Sequence, residues 1–324
     1  MNCTLGDPFV HNTSFKVIVT VQALLSTFAL VFNPFVLKTI YCKMYFHRNI
    51  RMLLGLGVIV NIVHSFFYVI IQGTHSYLMI TAVSGCDLMV PPVFCNSLRI
   101  PAWLSMMCYT AVNNAMVFER LIATIRVKTY EDISTVFGIV LCLFSFSGAL
   151  LFGFLIMGQM TTEYVPYCSL INSGNARQIT WSALVGMVAE SLVFLSFITL
   201  FHVNKWMEKH HGYNVKVRFQ VRENLAVCRT LAPWMSFHFA VVIFMLASTY
   251  IIPVMVHFDV YVMEARTLLA ACYLMPLFCV VNPLALRAIY KREQIRRRKG
   301  IKNISRPITS EEHYLVYTAG WDKK

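Results

Sequence analysis

Phe118-Glu119-Arg120-Leu121-Ile122-Ala123-Thr124 closes a long apolar run that begins near Ala102 and passes Trp103, Met106, Met107 and Val117. An acid and a base side by side at the end of a membrane-length segment admit two readings. In the plainer one, Arg120 snorkels its charge into lipid headgroups and Glu119 partly neutralises it. In the other, Glu119 holds Arg120 at rest and a partner receives it on activation. Arginine suits the second role because it stays charged and presents a planar fork of donors. The rest of the chain decides.

The 324 residues are 57% hydrophobic and 13% charged, with a mean hydropathy of +0.61. A water-facing surface needs roughly 25–35% charged residues, so the chain reads as an integral membrane protein with no room for a second sizeable domain. Spans of about 20 apolar residues occur at 15–41, 52–72, 101–125, 135–157, 179–203, 229–253 and 264–289. Asn113, Asn114, Glu264 and Arg266 interrupt the third and seventh. Twenty Lys and Arg residues fall on one side of these spans, ten of them after Ile289, against Arg99 and Arg177 in the opposite loops. Basic loops stay in the cytosol. The expected fold is an all-α membrane protein, a seven-transmembrane helix bundle with its N-terminus outside and its C-terminus cytosolic. Residues 1–14 form an extracellular N-terminus, 15–289 the bundle and 290–324 a basic cytosolic tail able to lie on the anionic inner leaflet. The net charge of +13 is then a topology signal, and nucleic acid is not an expected partner. The first residues lack the basic start and small-residue cleavage site of a signal peptide, so none is expected.

Orientation sorts the modifiable residues. Asn2-Cys3-Thr4 and Asn12-Thr13-Ser14 fit the glycosylation pattern on the outer side, whereas Asn303 falls in the cytosolic tail. Cys3, Cys86, Cys95 and Cys168 lie outside, where disulfides persist and three connectivities are open. The other six cysteines read as packed thiols.

Polar groups at membrane depth are costly and face the bundle interior. Glu190 falls mid-span in the fifth segment and His238 about 10 residues into the sixth, near the midplane at about 1.5 Å per residue. They are expected to pair or share a water, either as a buried polar pair or in ligand recognition. Asn113, Asn114 and His64 serve interhelical hydrogen bonds or contact a ligand. Phe66, Phe67, Tyr68, Trp181, Tyr250 and Tyr273 either line an outer pocket or pack. His202, His210 and His211 lack a fixed carboxylate partner, so no metal is expected. With no Walker loop, Gly-x-Ser-x-Gly or His-Glu-x-x-His, neither an enzyme nor a cofactor is expected.

Glu119-Arg120 ending the third of seven spans resembles G-protein-coupled receptors, as do Asn33 and Asn282-Pro283, although Asn61 stands where most members carry an aspartate and Leu286 replaces the usual tyrosine. More specifically, three motifs resemble the nematode serpentine chemoreceptors of the alpha and alpha/beta classes. They are Phe46-His47-Arg48-Asn49-Ile50-Arg51, then Glu119 to Thr124 with Tyr130-Glu131, then Arg222-Glu223-Asn224 with Leu231, Pro233 and His238. The chain departs from the large receptor family in having no tryptophan in the fourth span, no proline in the fifth and no Cys-Trp-x-Pro in the sixth.

The resemblance implies a G-protein-coupled chemosensory receptor for a small environmental molecule, in the plasma membrane of a sensory-neuron cilium or dendrite. It implies that Glu119, Arg120 and Arg222 couple to a heterotrimeric G protein, with Pro233 allowing a kink. It also implies a Cys95–Cys168 bridge, which leaves Cys3 and Cys86 over. A small-solute transporter with Glu190 as proton relay is the alternative, although repeat halves and Gly/Pro-broken segment pairs are not evident. A non-signalling partner subunit of other receptors is a third reading. Homo- or hetero-dimers stay open.

Overall fold

The computed structural model describes residues 3–44, 46–156, 163–169, 171, 175–210, 215–257 and 263–304. They form two compact units, Met1–Arg287 and Ala288–Lys324. The bundle helices are α1 (Thr13–Lys43), α2 (Arg48–Thr81), α3 (Pro92–Ile125), α4 (Thr135–Ile156), α5 (Ala176–His210) and α6 (Val215–Met255). The seventh span consists of α7 (Met263–Cys272) and α8 (Met275–Ile304), broken at Tyr273-Leu274. Among the described residues, α1, α2, α5, α6 and the seventh span are long and apolar enough to cross a bilayer, and α4 adds a shorter apolar stretch. The chain is an all-α, seven-span serpentine bundle.

Its polarity is inverted relative to a protein in water. On α1, Leu24, Val31 and Phe35 are each more than 60% exposed, while Gln22, Ser26 and Asn33 are buried. Lipid accepts the apolar face, and the polar side chains find partners inside. Asn33, for instance, donates to the carbonyl of Cys279 at 3.2 Å. Central in the bundle is α3, which packs on α2, α4, α5 and α6. It carries the polar residues that made its sequence hard to read as a span.

Several helices overrun their sequence boundaries. α3 begins at Pro92, so Arg99, assigned from sequence to an outer loop, is a helical residue inside the bundle. α6 begins at Val215 and continues through Pro233. Hydropathy marks only the lipid-facing length of a helix, and these extensions pack against other parts of the protein.

One end of the bundle is tied by covalent and backbone links. Cys3 bonds Cys86, and Cys95 bonds Cys168. Asp7 Oδ1 accepts from Gly85 N at 3.0 Å, and a Cβ on Gly85 would lie 2.4 Å from that oxygen. Phe9, Phe15 and Tyr167 interlock edge to face beneath this cap. Val90 and Val165 exchange backbone hydrogen bonds of 2.9 and 3.2 Å, and Cys168 N donates to His75 Nε2 at 3.1 Å. Val165 to Cys168, between α4 and α5, are thereby fixed across this end of the bundle.

Candidate functional site

At the opposite end from the disulfides, Arg120 and Glu119 are 2% and 0% exposed. Neither can be a headgroup anchor at that burial. Arg120 Nε and Nη2 donate to the two carboxylate oxygens of Glu119 at 2.5 and 2.6 Å, a bidentate pair. Nη1 donates to Asn224 Oδ1 on α6 at 2.8 Å. Nη2 also donates to the Tyr130 hydroxyl at 2.9 Å, and that hydroxyl donates to Glu119. Asn224 Nδ2 donates to Thr124 Oγ1 at 2.9 Å and to Asn204 Oδ1 at 2.7 Å. Asn204 Nδ2 also reaches Thr124 Oγ1, at 2.9 Å. One network therefore joins α3, α5, α6 and the loop after α3.

Two members lie outside the spans. Burial pushes the Tyr130 hydroxyl well above the usual phenol range. Burial also pushes the His47 imidazole below its usual value, against an opposing pull from Glu119. A neutral His47 therefore sits 3.2 Å from the Tyr130 hydroxyl.

Arg222 does not join this network. It is 57% exposed and lies 3.8 Å from Glu208, and the α6 residue that meets Arg120 is Asn224. Sequence reading named Glu119 and Arg120 but not Asn224, Asn204 or Thr124 as functional. Tyr130, His47 and Asn224 each sit in one of the three family-like motifs, and that co-occurrence was the available signal.

Towards the disulfide end lies a cavity of about 380 Å³. Trp103, Met106 and Met107 supply apolar wall from α3, while Tyr68, Arg99 and Tyr273 supply polar groups. Tyr167, Ser169 and Ile171 from the tied loop also line it. Of the sequence candidates, Tyr68, Asn114, Glu190 and Tyr273 line the cavity. Glu190 Oε1 is 3.5 Å from His238 Nε2, an ion-pair distance without hydrogen-bond geometry. His64 meets the Tyr273 hydroxyl at 2.9 Å, and Asn113 accepts from Trp234 Nε1 at 3.1 Å. Phe66 and Trp181 are about half exposed. Gln72 Nε2 donates to Gln22 Oε1, Tyr68 and Tyr167 at 2.6, 2.9 and 3.0 Å, a cluster the sequence did not reveal.

Asn12 caps α1 by accepting from Phe15 N at 2.8 Å, and its amide donates to Thr267. Asn2 and His211 lie outside the described residues. Among the described residues no group of three His, Cys, Asp or Glu side chains is placed to hold a metal.

A seven-span bundle with a buried Glu-Arg pair at one end and a disulfide-tied cavity towards the other has the build of a serpentine receptor. The family described as "Serpentine type 7TM GPCR receptor class ab chemoreceptor" matches residues 1–320, and the chain belongs to that family. Among its relatives is serpentine receptor class beta-16 of Caenorhabditis elegans, 23% identical over 92% of this chain and 87% of the relative. Serpentine receptor class alpha-10 of Caenorhabditis briggsae is 23% identical over 97% and 95%. Serpentine receptor class alpha/beta-14 of Caenorhabditis elegans is 27% identical over 59% and 51%.

Proposed function

We propose that the protein is a G-protein-coupled chemosensory receptor of the plasma membrane. A small molecule occupies the cavity, and a heterotrimeric G protein engages the Arg120 end. In this reading the Arg120 end faces the cytosol, residues 15–289 form the membrane domain and 290–324 a cytosolic tail. The asymmetry of basic residues supports that orientation.

The observation that carries the reading is the bond from Arg120 to Asn224, which holds α6 against α3 at rest. Outward movement of α6 would break it, expose a guanidinium and open a groove. The C-terminal carbonyls of a partner helix, which carry partial negative charge, suit such a site. The Glu119 carboxylate keeps the arginine ordered until then.

The test is nucleotide exchange on an added G-protein heterotrimer by the purified receptor in lipid nanodiscs, across a panel of small volatile and water-soluble compounds. The expected result is compound-dependent exchange. Gradient-driven uptake of a compound in proteoliposomes, with no exchange on any heterotrimer, would replace the receptor reading with the transporter.

A further inference from the structure

Among the described residues Arg99 has no acidic partner. It sits two turns into α3 and lines the cavity, and no Asp or Glu among the described residues lies within ion-pair distance of it. Its guanidinium carbon lies 5.6 Å from the Tyr68 ring centroid and 5.4 Å from that of Tyr273. Its Nη1 is buried without a hydrogen-bond partner. Two ring faces offset part of the cost of burying a cation, but they leave Nη1 unused.

The surroundings are positive as well. Arg266, stacked over Phe9 at 5.9 Å, also lines the cavity. Among the described lining residues the one carboxylate is Glu190, which has His238 beside it at 3.5 Å. The rest of the wall is mainly apolar. A volume of about 380 Å³ is near the small end of the about 300–1,000 Å³ typical of ligand sites.

We propose that the cavity is selective for small organic anions, with a carboxylate received by the Arg99 fork and an apolar body laid against Trp103, Met106 and Met107. Arginine matches a carboxylate with two parallel N–H···O bonds, whereas a neutral ester or alcohol lacks the charge and the second equivalent oxygen. A cationic ligand would face the Arg99 guanidinium. The proposal rests on the cavity being the ligand site and deepens that reading.

The test uses full-length receptor in nanodiscs and a panel of short- and medium-chain carboxylic acids, straight and aromatic, each beside its methyl ester. Affinity is read from the shift of the thermal midpoint with concentration. Esters partition into lipid more strongly than acids, so non-specific membrane uptake would favour the ester. The expected result is stabilisation by at least one acid and not by its ester. Arg99→Gln should weaken that binding by about 10- to 100-fold, and Arg99→Lys, which keeps the charge but not the fork, should fall between. The unliganded midpoints of the variants show that they fold. Stabilisation by esters equal to that by acids, no stabilisation by any acid, or acid binding unchanged in Arg99→Gln would each overturn the proposal.

Nucleotide exchange separates this from the receptor reading. Arg99-dependent acid binding without exchange on any heterotrimer would retain the anion site and remove the receptor. Exchange evoked by a neutral or cationic compound and unchanged in Arg99→Gln would do the reverse.

Discussion

Asn224→Ala tests whether the Arg120 network is a lock or only ballast. The substitution removes the acceptor for Arg120 Nη1 at 2.8 Å and the donor to Thr124 and Asn204 at 2.9 and 2.7 Å. A hydrogen bond to a charged group contributes about 1.5–3 kcal/mol and a neutral one about 1. Members of one network do not add. A net loss of about 2–3 kcal/mol from the closed arrangement is therefore expected. If the open arrangement lacks these bonds, the loss goes into the closed–open equilibrium and favours opening by about 30- to 160-fold. Basal exchange on a G-protein heterotrimer, normalised to folded receptor in nanodiscs, should rise towards its ligand-evoked ceiling. The thermal midpoint should fall at the same time. Asn224→Ala receptor that melts lower but keeps parental basal exchange would show that the network stabilises the bundle without gating it.

The same geometry bears on Arg120 and three features elsewhere. Arg120→Ala leaves Glu119, 0% exposed, with an uncompensated charge; a loss of about 3–5 kcal/mol and low surface delivery are expected. Glu119→Gln with Arg120→Ala should restore delivery but not ligand-evoked exchange, and normal exchange by the double variant would place coupling elsewhere. Replacing Cys3 and Cys86 by Ser opens a loop with a sequence separation of 83, and calorimetry should register a loss of about 2–5 kcal/mol, against none if the cap is already loose. Asp87 accepts from Ser84 N and Val83 N, which hold its carboxyl below the usual range. Because the folded value is depressed, its stabilisation is present above about pH 4 and fades as the pH falls through the folded value. The gap in thermal midpoint between the parent and Asp87→Asn should therefore shrink in acid, and a constant gap would count against these bonds. Any N-terminal glycan should sit on Asn2, since the Asn12 amide is engaged with Thr267; a glycosidase-sensitive shift lost on Asn12→Gln but not Asn2→Gln would reverse this.

The number of spans was readable because lipid imposes a length and a composition on each of them. Their ends were not, because Pro92 to Ile100 and Val215 to Cys228 continue as helix although polar and charged residues interrupt their apolar runs. Arg99 shows the cost: charge alone placed it in a loop, and only helical continuity puts it in the cavity. Glu190 and His238 were readable as a pair because both were charged or titratable at the same expected depth. Asn224 was not, since an asparagine near a basic loop looks like any solvated residue until α6 extends far enough to bury it. The motif containing it was visible; its contact with Arg120, 104 positions away, depends on how α3 and α6 cross.

Cavity and network are joined by α6, and its grip on the bundle has three levels. His238 faces Glu190 beside the cavity, Trp234 Nε1 donates to Asn113, and Asn224 holds Arg120. The outermost and innermost of these residues lie about 20 Å apart along the helix axis. Between them Tyr109 packs on Trp234, His238 and Phe278 at 5.9, 5.3 and 4.8 Å, and its hydroxyl accepts from Asn282 at 2.7 Å. Under the proposed function, coupling requires an element whose position both sites bias, and α6, which contacts both, is the one proposed for it. A ligand shifts it only by contacting one arrangement better than the other. Arg99 lies on α3, so an anion held there alone gains affinity without a preference for either position of α6. Efficacy must come from the body of the ligand, where it reaches Val242, Met245 and Leu246 on the α6 wall of the cavity. On this proposal, binding and activation fall to different ends of the same small molecule.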